Sequence, residues 1–271
     1  MIVTATEVRS YIHCPYKYRF KYISNIPLLK IKAKEHWSNC LKFVILEFMR
    51  IWVSKGTAPS LQHLQDRWNK AWFEDPIALD YETKTSQHDL GISGWRTLIK
   101  FYNIVIKETY IAAIEQGYKL EISKNLYLAG SIDILLYTND PKLYPTNYLG
   151  IKLVDSNYYS NAMVGSNDIE MTAYRRAIKN ILASNSPIPE PRLAYYVLDS
   201  RGEGLVVTRR SPEQDEVLNE TVTAIAGALK ESSFFPRFGG WCNACEYQPI
   251  CDRGSWIKKD VSNLSFIKGI K

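Results

Sequence analysis

Three cysteines fall within ten residues near one end of the chain, in 242-CNACEYQPIC-251, and a fourth, Cys14, lies near the other end in 11-YIHCPYKYRFKYI-23. A fold that uses these thiols together must bring its two ends into contact. The chain has five cysteines in 271 residues, an odd count and too sparse for a disulfide scaffold. In a reducing compartment, clustered thiols bind metal or do redox chemistry. The start, MIVTATEVRS, lacks the basic-then-apolar layout of a signal peptide, and no apolar run is long enough to span a bilayer. The sequence therefore predicts a cytoplasmic protein without a membrane partner. Cys40 lies on the apolar face of a predicted helix and reads as a small core residue.

The other four thiols suit either of two inorganic groups. Zinc sites usually show two close-spaced ligand pairs. Here one pair, Cys242 and Cys245, is joined by a trailing Cys251 and by the distant Cys14. Four thiolates are also the usual complement of a [4Fe–4S] cluster. Tyr11, Tyr16, Tyr18, Phe20, Trp241 and Tyr247 crowd the two segments and would shield such a cluster from water.

The hydrophobic period between these ends changes once. Thr4 with Glu7 three residues on predicts a capped helix that breaks at Cys14-Pro15. Leu41, Val44, Ile45, Phe48 and Met49 predict a helix over 34–53, and further helices are expected over 61–71 and 89–116, the last stopped by Gly117. From 118 the chain alternates and is rich in β-formers. Two strands or a hairpin are expected over 118–138, with strands over 148–156, 193–199 and 205–209. Helices are expected over 167–184, capped by Asn167 or Asp168, and over 212–230. This order predicts an α/β fold: a mixed central sheet flanked by helices, preceded by a helical region.

Two aspartates interrupt the apolar strands. Asp133 sits in 130-GSID-133 and Asp155 ends 151-IKLVD-155. An ionised carboxylate among apolar residues is costly to desolvate unless something pairs with it. Two of them on neighbouring strands either hold a divalent cation through oxygen ligands or accept backbone hydrogen bonds as strand caps. The net charge of +6 suits nucleic acid without requiring it. Lys17, Arg19 and Lys21 alternate with aromatics near Cys14, and Arg175, Arg176 and Lys179 share one predicted helix. Such groups can hold phosphates and stack on unpaired bases; a solvated helix face accounts for the same pattern.

Taken in order along nearly the whole chain, these segments resemble the iron–sulfur branch of the PD-(D/E)XK nuclease superfamily, which includes RecB-like exonucleases, the AddB subunit and the exonucleases of CRISPR adaptation. The opening 10-SYIHCPYKYRFKY-22 is similar to the family's start, and 38-SNCLKFVILEF-48 resembles the helix that carries a metal-binding His. The stretch 130-GSID-133 resembles the Gly-x-Ile-Asp strand, and 153-LVDSN-157 stands where the family has an acidic residue, a spacer and a lysine. Residues 170-EMTAY-174 resemble the Gln-x3-Tyr helix, and 242-CNACEYQPIC-251 resembles the closing cysteine frame.

The resemblance implies a PD-(D/E)XK core over 118–230, an N-terminal segment over 1–117, and an Fe–S lobe over 231–271 packed as one unit with residues 1–25. It implies a [4Fe–4S] cluster on Cys14, Cys242, Cys245 and Cys251, and Mg2+ or Mn2+ on Asp133 and Asp155. Asn157, Glu170 and Tyr174 complete the implied site. DNA ends or single strands are the implied substrate, with a helicase, recombination or CRISPR-adaptation protein as partner.

The chain departs from the family at three places. Lys42 stands where the family has His, with His36 nearby; Asn157 replaces the catalytic Lys; Glu170 replaces Gln. Asn can orient a water but brings no positive charge. Lys152 is expected to face away from Asp155, leaving Arg175, Arg176 and Lys179 as candidate substitutes. Two functions follow from this pattern: a weakened metal-dependent exonuclease, or an inactive nuclease-fold module that binds DNA or a protein. No Gly-x4-Gly-Lys-Ser/Thr loop occurs in the sequence, so ATP-driven translocation would need another chain.

Overall fold

The computed structural model describes residues 1–28, 31–74, 79–81, 86–105, 110–137, 148–155, 168–182, 190–199, 204–239, 242, 245–248 and 250–251. The chain opens with β1 (Ile2–Thr4) and α1 (Ala5–His13), where the Thr4 hydroxyl and the Glu7 carboxylate form a reciprocal capping box. Cys14 is extended between α1 and the short α2 (Pro15–Tyr18), whose first residue is a proline. A π-turn over Arg19–Ile23 follows. Next come β2 (Ile31–Lys32), α3 (Ala33–Lys55), α4 (Leu61–Phe73), β3 (Leu79–Asp80) and α5 (Gln87–Val105). Gly56, at φ 70°, ends α3 in the left-handed conformation that glycine adopts without strain. The second half contains β4 (Tyr110–Ser123), β5 (Leu126–Tyr137), β6 (Tyr148–Asp155), α6 (Ile169–Leu182), β7 (Arg192–Leu198), β8 (Leu205–Thr208) and α7 (Pro212–Lys230).

Strand β5 organises a six-stranded mixed sheet. Along one edge it pairs antiparallel with β4 across a tight turn at Asn125, which takes a positive φ of 65°. Its other edge is shared. β1 runs parallel to Tyr127–Ala129, and β6 runs antiparallel to Ile134–Tyr137. β7 then pairs parallel with β6, and β8 antiparallel with β7.

Strand alternation divides the apolar residues between two helical layers. Leu149, Ile151 and Leu153 of β6 pack with Leu41, Ile45 and Phe48 of α3, Trp68 and Trp72 of α4, and Leu98 and Phe101 of α5. Val154 of β6 and Leu193, Tyr195 and Val197 of β7 pack with Val8 of α1, Met171 and Ile178 of α6, and Val222 of α7. Each layer covers one face, so the sheet is buried on both sides. No helix among the described residues is long and apolar enough to cross a membrane.

The hairpin, the later strands and most helices lie where the sequence predicts them. The helix expected over 89–116 does not. α5 ends at Val105, and Tyr110 already pairs with Tyr137. The segment 110-YIAAIEQ-116 carries apolar residues that satisfy either period, and pairing with the apolar end of β5 decides the outcome. β1 is the other difference. Three residues look too short for a strand, but the existing edge of β5 templates them.

Candidate functional site

Between its pairings with β1 and β6, the edge of β5 leaves residues 130–133 without a ladder partner in either strand. The 130-GSID-133 motif fills this notch. Asp133 is held there by side-chain bonds instead of strand pairing. The Leu153 amide donates to its Oδ2 at 2.8 Å, in the place of a backbone acceptor that the diverging β5 no longer offers. The Tyr174 hydroxyl of α6 donates to Oδ1 at 3.1 Å and accepts from the Asp133 amide at 3.2 Å. Opposite Asp133, between the pairs Ile114–Ile134 and Gln116–Ile132, β4 is kinked at Glu115, a non-glycine residue at φ 49°. Gly130 lies under the Tyr118 ring, and a Cβ there would be 2.4 Å from the Tyr118 hydroxyl, so a larger residue would displace that side chain.

Burial pushes the Asp133 carboxyl above its ordinary value; the Leu153 amide, the Lys42 and Lys152 ammonium groups and the Tyr174 hydroxyl oppose that rise. Burial likewise pushes the Tyr174 phenol well above its usual value, with Asp133 and Glu170 adding to the shift. Asp155 is half-buried at the end of β6. By alternation it shares a face with Leu153 and Ile151, the face that α3 covers. Lys42 of α3 is half-buried and lies in the field of both Asp133 and Asp155, while burial lowers its own pKa. An ammonium group from the covering helix thus lies in the field of carboxylates from two adjacent strands.

A second, more deeply buried network backs the notch on the α6 side. The Lys152 ammonium pairs with Glu170 and lies 3.4 Å from Asp168 Oδ2. Arg9 of α1 reaches Glu170 Oε1 at 3.4 Å. Asp168 caps α6 by accepting from the Glu170 amide at 2.9 Å, and it accepts from the Tyr195 hydroxyl at 3.0 Å. That hydroxyl in turn accepts from Arg210 at 2.7 Å. Lys152 therefore points away from the Asp155 face, as strand geometry requires. Arg9, Asp168, Tyr195 and Arg210 carry no signal in the sequence beyond an acidic residue before a helix. Asn157 lies outside the described residues.

The remaining basic and histidine candidates are placed elsewhere. Arg175 is 3% exposed, with its guanidinium held by Glu190 and Asp215. Arg176 donates to Asn219 at 2.6 Å and to the Glu121 carbonyl at 3.2 Å, and Lys179 lies 3.2 Å from Glu190. These three tie α6 to its neighbours; the Arg175 charge is buried against two carboxylates, whereas Arg176 and Lys179 remain half-exposed. Lys17 pairs with Glu246 at 2.7 Å, whereas Arg19 and Lys21 are exposed. His36 packs in the helical layer, with Nε2 3.3 Å from Cys40 Sγ and its ring against Trp72. It is not part of the notch.

The segments around Cys14 and over 242–251 meet at a cavity lined by Cys14, Cys242, Cys245 and Cys251 together with Phe20 and Tyr247. No disulfide joins any of the four. The contact is built by the Lys17–Glu246 pair, the Phe20 and Tyr247 rings 5.6 Å apart, the Tyr247 hydroxyl donating to the Ile26 carbonyl at 3.3 Å, and Arg237 donating to the Ile12 carbonyl. The tail folds back through tight turns, with the Cys251 amide bonded to the Tyr247 carbonyl at 2.9 Å and the Gln248 amide to the Cys245 carbonyl at 3.0 Å. Burial raises the Cys245 thiol above its usual pKa. Among the described residues, no three His, Cys, Asp or Glu side chains are gathered as an ion site. The four cysteines, none in a disulfide and all lining one cavity, still have the composition a cluster needs. Two carboxylates are as many as magnesium usually takes from a protein, since water and substrate phosphate supply its other ligands.

The family model of the PD-(D/E)XK nuclease superfamily matches residues 2–252. No curated protein matches the chain.

Proposed function

The chain belongs to the PD-(D/E)XK nuclease superfamily, and we propose that it binds DNA ends or single strands and hydrolyses their phosphodiesters with Mg2+ or Mn2+ held by Asp133 and Asp155. The observation that carries this reading is the notch. Asp133 is fixed where β5 parts from its neighbour strands, with Asp155 on the adjacent strand. A bound divalent ion would supply Lewis-acid charge and lower the pKa of a water. The protein's part is orientation. Tyr174 and the Leu153 amide each use one acceptor position on Asp133 and leave others open. Exposed Arg19 and Lys21 would add sequence-independent contacts to phosphates.

The four cysteines would hold a [4Fe–4S] cluster with a structural task. By tying Cys14 to the tail, it closes a loop of more than two hundred residues and removes conformations from the unfolded chain. A zinc ion on the same thiols would serve the same purpose. Anaerobically purified protein should be brown, absorbing near about 400 nm; a colourless, zinc-loaded protein would refute the cluster.

One observation favours a second reading, a DNA-binding module without cleavage. Lys152 pairs with Glu170 Oε2 and Arg9 lies 3.4 Å from its Oε1, so two cations offset its charge before an ion arrives. Labelled single-stranded DNA with Mn2+ separates the two. Cleavage by the wild type and none by Asp133→Ala supports the nuclease; retained binding with no cleavage by either supports the module.

A further inference from the structure

We propose that Lys42, from α3, is the ammonium group that faces the scissile phosphate, in place of a lysine in the strand motif. This rests on the nuclease reading above. The geometry comes first. α3 covers the sheet face carrying Leu149, Ile151 and Leu153, and strand alternation directs Asp155 to that same face. Leu41 and Ile45, on either side of Lys42 along α3, are fully buried against it. Lys42 thereby flanks the face of α3 that packs on β6, within the electrostatic reach of Asp133 and Asp155.

Second, its charge is not consumed by the fold. The other cations around the notch are committed. Lys152 pairs with Glu170 and lies near Asp168, and Arg9 pairs with Glu170. Among the described residues, Lys42 makes no hydrogen bond or ion pair; it is bound to the carboxylates only by their field. A half-buried ammonium group without a direct partner costs stability instead of adding it. Such a group has the signature of a functional residue. Burial also weakens its hydration, so it interacts more strongly with an arriving anion.

Third, the charges match the reaction. Around the notch, Lys42, Lys152, Arg9 and Arg210 stand with Asp133, Asp155, Glu170 and Asp168, so the protein's own charges cancel. With a divalent ion the site becomes dipositive, matching the two negative charges of a phosphorane-like transition state. In the step, a water oxygen bonds to phosphorus as the ester P–O bond breaks. The water's proton passes to solvent, and the leaving oxygen takes one from solvent. Lys42 stays protonated throughout and donates to a non-bridging oxygen. Neither Asn157 nor the engaged Arg175 is needed for that charge.

The test compares Lys42→Gln, Lys42→Arg and Asp133→Asn with the wild type, in single-turnover cleavage of labelled single-stranded DNA, in Mn2+ titration without DNA, and in thermal melting. Lys42→Gln should slow cleavage by about 10²–10³-fold, melt no lower than the wild type, and bind Mn2+ about 5-fold more tightly because a like charge is gone. Lys42→Arg should recover most of the rate. Undiminished cleavage by Lys42→Gln, or unchanged Mn2+ affinity, overturns this inference and leaves the nuclease reading standing. A lower melting temperature for Lys42→Gln, with no recovery by Lys42→Arg, marks a structural lysine and overturns it as well. Failure of the wild type to cleave overturns the nuclease reading and this inference with it.

Discussion

The two chemically distinctive regions of this molecule are built in opposite ways. The cysteine cavity draws on short segments at the two ends of the chain, with three of its thiols in a fixed local frame. The notch takes single side chains from α1, α3, β5, β6 and α6, and its central carboxylate is held by a neighbour strand's amide and a tyrosine. One region is specified by spacing, the other by where a sheet stops pairing. The cavity is lined by thiols free of any disulfide, whereas the notch is charge-balanced by the protein itself. Under the proposed function, the first region serves stability and the second chemistry.

Substitutions can break the division at either end. The largest expected effect is that of Cys14→Ser, which should abolish the cluster absorbance and lower unfolding free energy by about 3–5 kcal/mol, the scale of opening a long cross-linked loop. Iron analysis and denaturant melts check it, and a variant that keeps its cluster breaks the clamp. Asp133→Asn should reduce cleavage by at least about 10²-fold, or about 3 kcal/mol, while its iron content stays that of the wild type. Loss of iron in this variant would mean that the regions are not independent.

Arg175→Ala comes next. Because Arg175 bonds Glu190 and Asp215, its removal should cost about 1–3 kcal/mol of stability and leave DNA affinity unchanged, whereas Arg19→Ala should weaken DNA binding and spare stability. Filter binding with paired thermal melts distinguishes them. The smallest effect is a pH dependence. Burial would raise the Glu190 carboxyl, but its bonds to Arg175 and Lys179 win and hold it below its ordinary value. A depressed carboxyl stabilises the fold above the ordinary glutamate range, and that contribution is lost as pH falls through the depressed value. The stability gap between the wild type and Glu190→Gln, about 0.3–1 kcal/mol for so exposed a pair, should therefore close on acidification. Urea melts at neutral and acidic pH follow it.

How far the sequence could be read follows the same contrast. The Cys frame, the 130-GSID-133 motif and the amphipathic α3 are local patterns, and local patterns survive in a string of letters. Lys42 could be read only as a departure from a histidine, because its proposed role depends on α3 covering the face of β6 that carries Asp155. Arg175 looked like a surface cation on a basic helix. Its burial needs α7 and the residues after α6 to fold over it, and no helical period encodes that. The segment 110–116 went to strand because its partner in β5 outweighs an ambiguous period, and β1 exists only because β5 offers an unpaired edge.

The central claim is a division of labour between a cluster that holds the chain ends and a carboxylate notch that handles phosphate. Anomalous diffraction from crystals grown anaerobically with Mn2+ and a cleavage-resistant single-stranded DNA tests it most directly. The account predicts iron scattering among Cys14, Cys242, Cys245 and Cys251, and manganese scattering beside Asp133 and Asp155 with Lys42 at a phosphate oxygen. A notch without manganese while the DNA phosphate is bound elsewhere, or a cysteine cavity without iron, would contradict it.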